Sequence, residues 1–280
     1  MLDFLVDAFI DSCKLLPFLF LTYWVMEYIE HKTGDKTKLA LEKSGKWGPV
    51  IGSLLGVIPQ CGMSAAAANL YAGRMITKGT LLAIFLSTSD EMLPVMISRA
   101  AGGKLIGQVL LWKVLVALLA GCLVDGWLHR KGKKPEEMDI HGLCEKVHCH
   151  CEHSLFRSAL NHTLHIFIFI LIISCFLNGL IAWIGADTLA TFISDRMILG
   201  PVVAGVIGLI PNCAASVALT QLYLDGFLSF GSMMAGLLVG AGVGVLVLLR
   251  VNHDKKDNLR LIATLFSIGV VAGIVFNFFW

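Results

Sequence analysis

Gly48–Tyr71 reads GPVIGSLLGVIPQCGMSAAAANLY, and Gly200–Tyr223 reads GPVVAGVIGLIPNCAASVALTQLY. The two stretches match at Gly48/Gly200, Pro49/Pro201, Gly56/Gly208, Pro59/Pro211, Cys61/Cys213, Ser64/Ser216 and Tyr71/Tyr223, a constant offset of 152 residues. In each, an apolar run is interrupted at its middle by Ile-Pro-Gln/Asn-Cys and then resumes. Proline removes a backbone donor and pushes the residue before it away from the helical region. The small residues on both sides allow close helix packing. Two arrangements satisfy this pattern. One is an ordinary span kinked at its proline; the other is a discontinuous or re-entrant element whose tip lies near the bilayer midplane.

Composition sets the class. Apolar residues make up 56% of the 280-residue chain and charged residues 15%, with a mean hydropathy of +0.78. Apolar segments of spanning length recur from end to end, which describes a polytopic helical membrane protein. The net charge of +2 and the absence of a basic aromatic surface element give no reason to expect a nucleic-acid partner. Of the eight cysteines, Cys13, Cys61, Cys122, Cys175 and Cys213 lie in apolar segments, where cysteine is a small hydrophobe. Cys144, Cys149 and Cys151 lie in a polar one.

Working outward, apolar spans are expected at about 13–30, 79–98 and 105–127 around the first broken element. Spans at 160–184, 228–249 and 260–280 surround the second. Glu27 and Glu30 are read as headgroup-level residues at the end of the first span. The domains expected are a first transmembrane repeat over 1–128, a linker over 129–158, and a second repeat over 159–280. Charge distribution bears on topology. If each broken element crosses once, Lys and Arg divide 12 to 9 between the two sides, with Lys14 counted at the outer end of the first span and Lys113 left out. If each returns to the side it entered, they divide 17 to 4. The positive-inside rule prefers the second arrangement. It predicts two inverted repeats, each with a Pro-broken re-entrant or half-helix hairpin, and about ten helical segments in all. Both termini are then outside and the linker cytoplasmic.

Three groups of residues carry candidate chemistry. Asp90 and Glu91, in Thr88-Ser89-Asp90-Glu91, fall near the centre of the 79–98 span, opposite Gly240–Val243 in the second copy. Carboxylates at that depth are costly unless they face a cavity, a cation or a proton path. Adjacent residues diverge by about 100° on a helix, so Asp90 and Glu91 need not meet the same ligand; local unwinding before Pro94 could bring both inward. Lys113 is the nearest candidate for a neutralising partner. The second group is Gln60, Cys61, Asn212 and Cys213 at the hairpin tips, a mixed oxygen and sulfur set suited to a divalent transition metal. Ser64 and Ser216 lie three residues beyond, while Asn69/Gln221 and Tyr71/Tyr223 read as packing or interfacial groups. The third group is His141, Cys144, His148, Cys149, His150, Cys151 and His153 in the linker. Its density is that of a metal-binding tract without a zinc-finger frame. His162 and His165 start the following span.

The GVIPQCG and GLIPNCAAS repeats, the LSTSDEMLP span at 86–94 and the His/Cys-rich linker resemble a family of ten-helix heavy-metal exporters, also described as manganese-transporter-like or arsenic-efflux-like. The resemblance runs over essentially the whole chain. It implies an inner-membrane transporter with five helical segments per repeat, and localisation in the bacterial cytoplasmic membrane. Manganese would suit the oxygen ligands, and zinc or a softer ion the cysteines and the linker. No ATP-binding motif is present, so transport is read as secondary, channel-like or dependent on another subunit. The expected function is export of a divalent transition-metal cation, with the ion as substrate or regulator and no prosthetic group. The lipid bilayer and the metal ion are the expected partners; proton coupling and a homodimer stay open. An arsenical or other small-molecule permease, a membrane metal sensor and an intramembrane enzyme are the alternatives. The last is not expected, since there is neither HExxH nor an apolar C-x-x-C.

Overall fold

The computed structural model describes residues 17, 20, 21, 24, 47–58, 61–89, 92–130, 160, 163, 164, 167, 168, 171, 172 and 198–279, with the backbone alone at 61, 213 and 214. Among these residues the chain is helical, without strands. In the first half the helices are α1 (Gly48–Leu55), α2 (Cys61–Ala72), α3 (Lys78–Ser87), α4 (Met92–Ser98) and α5 (Gly103–Arg130). The second half gives α6 (Leu199–Gly208), α7 (Cys213–Leu224), α8 (Phe230–Val239), α9 (Val243–Val251) and α10 (Lys255–Phe279). Shifted by 152 residues, the first five fall on the second five in order.

Among the described residues, four segments are long and apolar enough to cross a membrane: Lys78–Ser98, Gly103–Arg130, Phe230–Val251 and Lys255–Phe279. Two of them differ from the expected spans at 79–98 and 228–249, because they are not continuous helices. The first stops at Ser87 and resumes at Met92; the second stops at Val239 and resumes at Val243. At about 1.5 Å per residue, the ten residues of α3 or α8 cover about 15 Å, half of a hydrocarbon core of about 30 Å. Each break therefore falls near the middle of a segment of spanning length. Gly242 at the second break has φ 52° and ψ −139°, a conformation that essentially only glycine adopts.

The broken helices form the centre and the long ones the periphery. Along α5, Leu111, Leu115, Leu119, Leu123 and Trp127 recur every fourth residue on an exposed face, a stripe suited to lipid rather than water. The opposite side of α5 packs on α3, and α10 packs on α8 in the same way. Backbone approach through glycine makes this possible. A methyl group on Gly121 would lie 2.7 Å from the Gly79 carbonyl oxygen, and one on Gly273 would lie 2.5 Å from that of Gly231. The starts of α3 and α8 are fixed alike. Thr77 accepts from Thr80 N at 3.1 Å, and Ser229 accepts from Ser232 N at 3.3 Å. Gly79 N donates to Asp125 Oδ1 at 2.8 Å, and Gly231 N donates to Asn277 Oδ1 at 3.0 Å. These bonds satisfy amides that a helix start otherwise leaves unpaired.

Within each half, α1 packs on α3 and α6 on α8. Gly48 lies against Thr80, Gly52 against Ile84, and Gly56 against Ile84 and Ser87, so α1 runs alongside α3 in the same direction. Between halves the packing is reciprocal: α2 lies on α9 and α7 on α4. Gly244 of α9 meets Ser64 of α2, where an added methyl would be 2.7 Å from Ser64 Cβ.

Candidate functional site

Where α3 ends, its last carbonyls have no helical partners of their own. Local hydroxyls bond to carbonyls of this turn, one of which, Ile84 O, also accepts from Thr88 N at 3.0 Å. Ser87 Oγ donates to Ala83 O at 2.8 Å, Thr88 Oγ1 to Ile84 O at 2.7 Å, and Ser89 Oγ to Ser87 O at 3.0 Å. This is the backbone-directed hydrogen bonding that lets Ser and Thr end a helix. The next carbonyl, Thr88 O, accepts from the ammonium of Lys113. The same Nζ donates to Leu237 O, in the last turn of α8, at 3.0 Å. Lys113 is 1% exposed, on a helix that is otherwise apolar through its middle. A single buried cation thus meets the C-terminal ends of two half-helices, one from each half of the chain. Helix C-termini carry partial negative charge, which favours an ammonium at this position.

A narrow cavity lies beside this contact. The first half lines it with Thr88, Ser89 and Lys113, and the second with Asn212, Ser216 and Gly240, among others. Asn212 sits in the break between α6 and α7, with its N–H donating to Ile210 O at 2.7 Å. Of the residues anticipated at the hairpin tips, Asn212 therefore reaches the cavity wall, as does Ser216. Cys61 and Cys213 are the first residues of α2 and α7. Gln60, Asp90 and Glu91 lie outside the described residues, as do His141, Cys144, His148, Cys149, His150, Cys151 and His153 of the linker. So do Glu27, Glu30, His162 and His165. The residues flanking the acidic pair, Ser89 and Met92, are buried. Among the described residues no cluster of three or more His, Cys, Asp or Glu side chains is poised to hold a metal.

The tyrosines read as packing or interfacial groups differ from each other. Tyr223 packs edge-on against Phe230, with centroids 5.9 Å apart. Tyr71 instead donates its hydroxyl to Asp257 Oδ2 at 2.5 Å, and Lys78 donates to the other carboxylate oxygen. Asp257 thus ties the α2–α3 turn to the start of α10. At the corresponding turns of the other copy, Arg99 Nη2 meets Asp225 Oδ1 at 2.8 Å. Sequence reading gave Lys113 only a neutralising role and overlooked both clasps. The signal for Lys113 was a lone charge inside an apolar segment.

No curated protein and no solved structure matches the chain. A family model described as "Putative, 10TM heavy-metal exporter" matches residues 1–199, and with that match over most of its length the chain belongs to this family of membrane proteins.

Proposed function

We propose that this protein exports a divalent transition-metal cation by secondary transport, holding the ion at the break between α3 and α4. The observation that carries this reading is the paired interruption of α3/α4 and α8/α9 beside a cavity between the two halves. In the sequence, the first break holds Asp90 and Glu91. A divalent ion entering a low-dielectric centre needs anionic compensation, and no other carboxylates fall at mid-span. Unwound backbone supplies further carbonyl ligands. Gln60, Cys61, Asn212 and Cys213 frame the site, and the seven linker residues collect the ion on the cytoplasmic side before export. Manganese fits the oxygen donors; zinc fits the thiols as well.

The topology we infer is two inverted repeats with re-entrant broken elements. Its support is side-by-side contact. Lys78 meets Asp257, and Arg99 meets Asp225. If each broken element crossed the bilayer once, the members of both pairs would lie on opposite faces, about 30 Å apart. If each turns back, both pairs share a face, which is also the arrangement the positive-inside count prefers. The parallel course of α1 and α3 fits this too. Gly48 begins at the level of Thr80, the level to which α2 returns before the turn into α3.

A buried ammonium in the cavity wall also favours a second reading, a permease for a neutral or anionic solute such as an arsenical. Metal uptake by the purified protein in proteoliposomes decides between them. Asp90→Asn should abolish metal transport, and Glu91→Gln should abolish it or uncouple it from the proton gradient. Cys61→Ser and Cys213→Ser should both cripple a soft-metal or arsenite carrier, whereas a manganese carrier should tolerate at least one. Wild-type rates in both carboxylate variants would remove the cation site and leave the permease.

A further inference from the structure

We propose that the carbonyl ends of α3 and α8 form a seat for a monovalent cation, and that Lys113 is a tethered cation filling it. The inference goes beyond the transported metal and does not depend on it. Three observations carry it. The Lys113 ammonium donates to Thr88 O and to Leu237 O, the former at the break after α3 and the latter in the last turn of α8. Lys113 is among the largest fully buried side chains of the described residues. The 152-residue offset puts Leu265 at its equivalent position, itself buried, so one lysine serves the helix ends of both halves.

Paired half-helix C-termini facing a cavity have the chemistry that coordinates small cations in broken-helix carriers. Their partial negative charges amount to roughly one elementary charge for the two ends together. An ammonium matches a hydrated alkali ion or NH4⁺ in charge, and its three donors suit carbonyl oxygens. Because the cation is covalently tethered, the seat is filled whatever the salt. The wild-type protein should therefore be indifferent to the identity of the surrounding monovalent cation. Removing the tether should open the seat to a free ion of the same charge class.

The experiment reads the thermal stability of full-length protein in detergent, at constant ionic strength, in the chlorides of N-methylglucamine, Na⁺, K⁺ or NH4⁺. Wild type should melt at the same temperature in all four. Lys113→Ala opens the whole side-chain channel, whereas Lys113→Met keeps the stem packed and removes only the charged head. In N-methylglucamine, which is too bulky to enter, both should lose roughly 10 °C. At least half of that loss should be regained in one of the small cations. The proposal is overturned if both variants are insensitive to cation identity, or if wild type responds as strongly as they do. It is also overturned if neither variant yields folded protein in any of the salts, since a free ion then cannot take the place of the ammonium. Metal flux is not measured here, so failure of the export reading leaves this result interpretable.

Discussion

Replacing Asp257 by alanine tests whether the two ends of the reciprocal helix pairs are held with unequal strength. The carboxylate accepts from Tyr71 Oη at 2.5 Å, from the Lys78 ammonium, and more distantly from Asn252 Nδ2 at 3.4 Å. A hydrogen bond to a charged group contributes about 1.5–3 kcal/mol. The Lys78–Asp257 pair has side chains 27% and 13% exposed, so solvent screening holds its share to about 1 kcal/mol or less. The 3.4 Å contact adds almost nothing. Asp257→Ala should therefore cost about 2–3 kcal/mol. Arg99 and Asp225 are 48% and 42% exposed, and Asp225→Ala should cost no more than about 1 kcal/mol. For a chain of this size each kcal/mol shifts the melting temperature by roughly 2–4 °C.

The measurement is the apparent melting temperature of detergent-solubilised protein, at one scan rate because such unfolding is commonly irreversible. Asp257→Ala should fall roughly 5–10 °C below wild type and Asp225→Ala only a few degrees. A double-mutant cycle with Tyr71→Phe should give a coupling of at least about 1 kcal/mol. Equal losses at the two clasps, or additive Tyr71 and Asp257 substitutions, would refute the assignment of the stronger clasp to the Asp257 end.

Two other outcomes are expected. Cysteine introduced at Lys131 should be shielded from an impermeant reagent added outside cells, and cysteine at Asp225 should be labelled; the reverse pattern would overturn the inverted topology. Replacing His141, Cys144, His148, Cys149, His150, Cys151 and His153 together should lower metal affinity or sensing while leaving turnover at saturating metal, whereas complete loss of flux at every concentration with normal insertion would place the linker in the translocation path.

What the sequence revealed of this fold depended on where the cause of each break resides. The breaks between α1 and α2 and between α6 and α7 were legible because proline acts on its own neighbours, and Pro59 and Pro211 stand at the right places. The break inside Lys78–Ser98 was legible only as a local unwinding before Pro94, and the one inside Phe230–Val251 was not foreseen, although Gly240 and Gly242 stand there. Hydropathy averages across a break without registering it. What stabilises these helix ends is partly tertiary: Lys113 reaches Thr88 from 25 residues along the chain and Leu237 from 124. The Tyr71–Asp257 clasp spans 186 residues and joins two residue types that, read singly, suit an interface equally well. The candidate metal ligands were chosen by chemistry alone. The cavity wall adds Thr88 and Ser89 as neighbours of Asn212 and Ser216, a grouping across the two halves that no spacing rule connects.

The duplicated scaffold and the unduplicated charges bear on how the halves can move. Framing contacts occur twice with matching partners: Thr77 and Ser229 at the helix starts, Gly79–Gly121 and Gly231–Gly273 at the crossings, Asp125 and Asn277 on the capped amides. The ionisable residues that the sequence places within these apolar segments near the breaks occur once. Asp90, Glu91 and Lys113 correspond to Gly242, Val243 and Leu265. The two carbonyl partners of Lys113 lie on opposite halves. Any relative displacement that carries α8 away from α3 by more than an ångström or two must stretch one of those bonds beyond hydrogen-bonding range. A buried ammonium cannot be left with its donors unmet at low cost, so a new partner must arrive as the old one departs. Separating α8 from α3 would therefore require new partners for this one side chain.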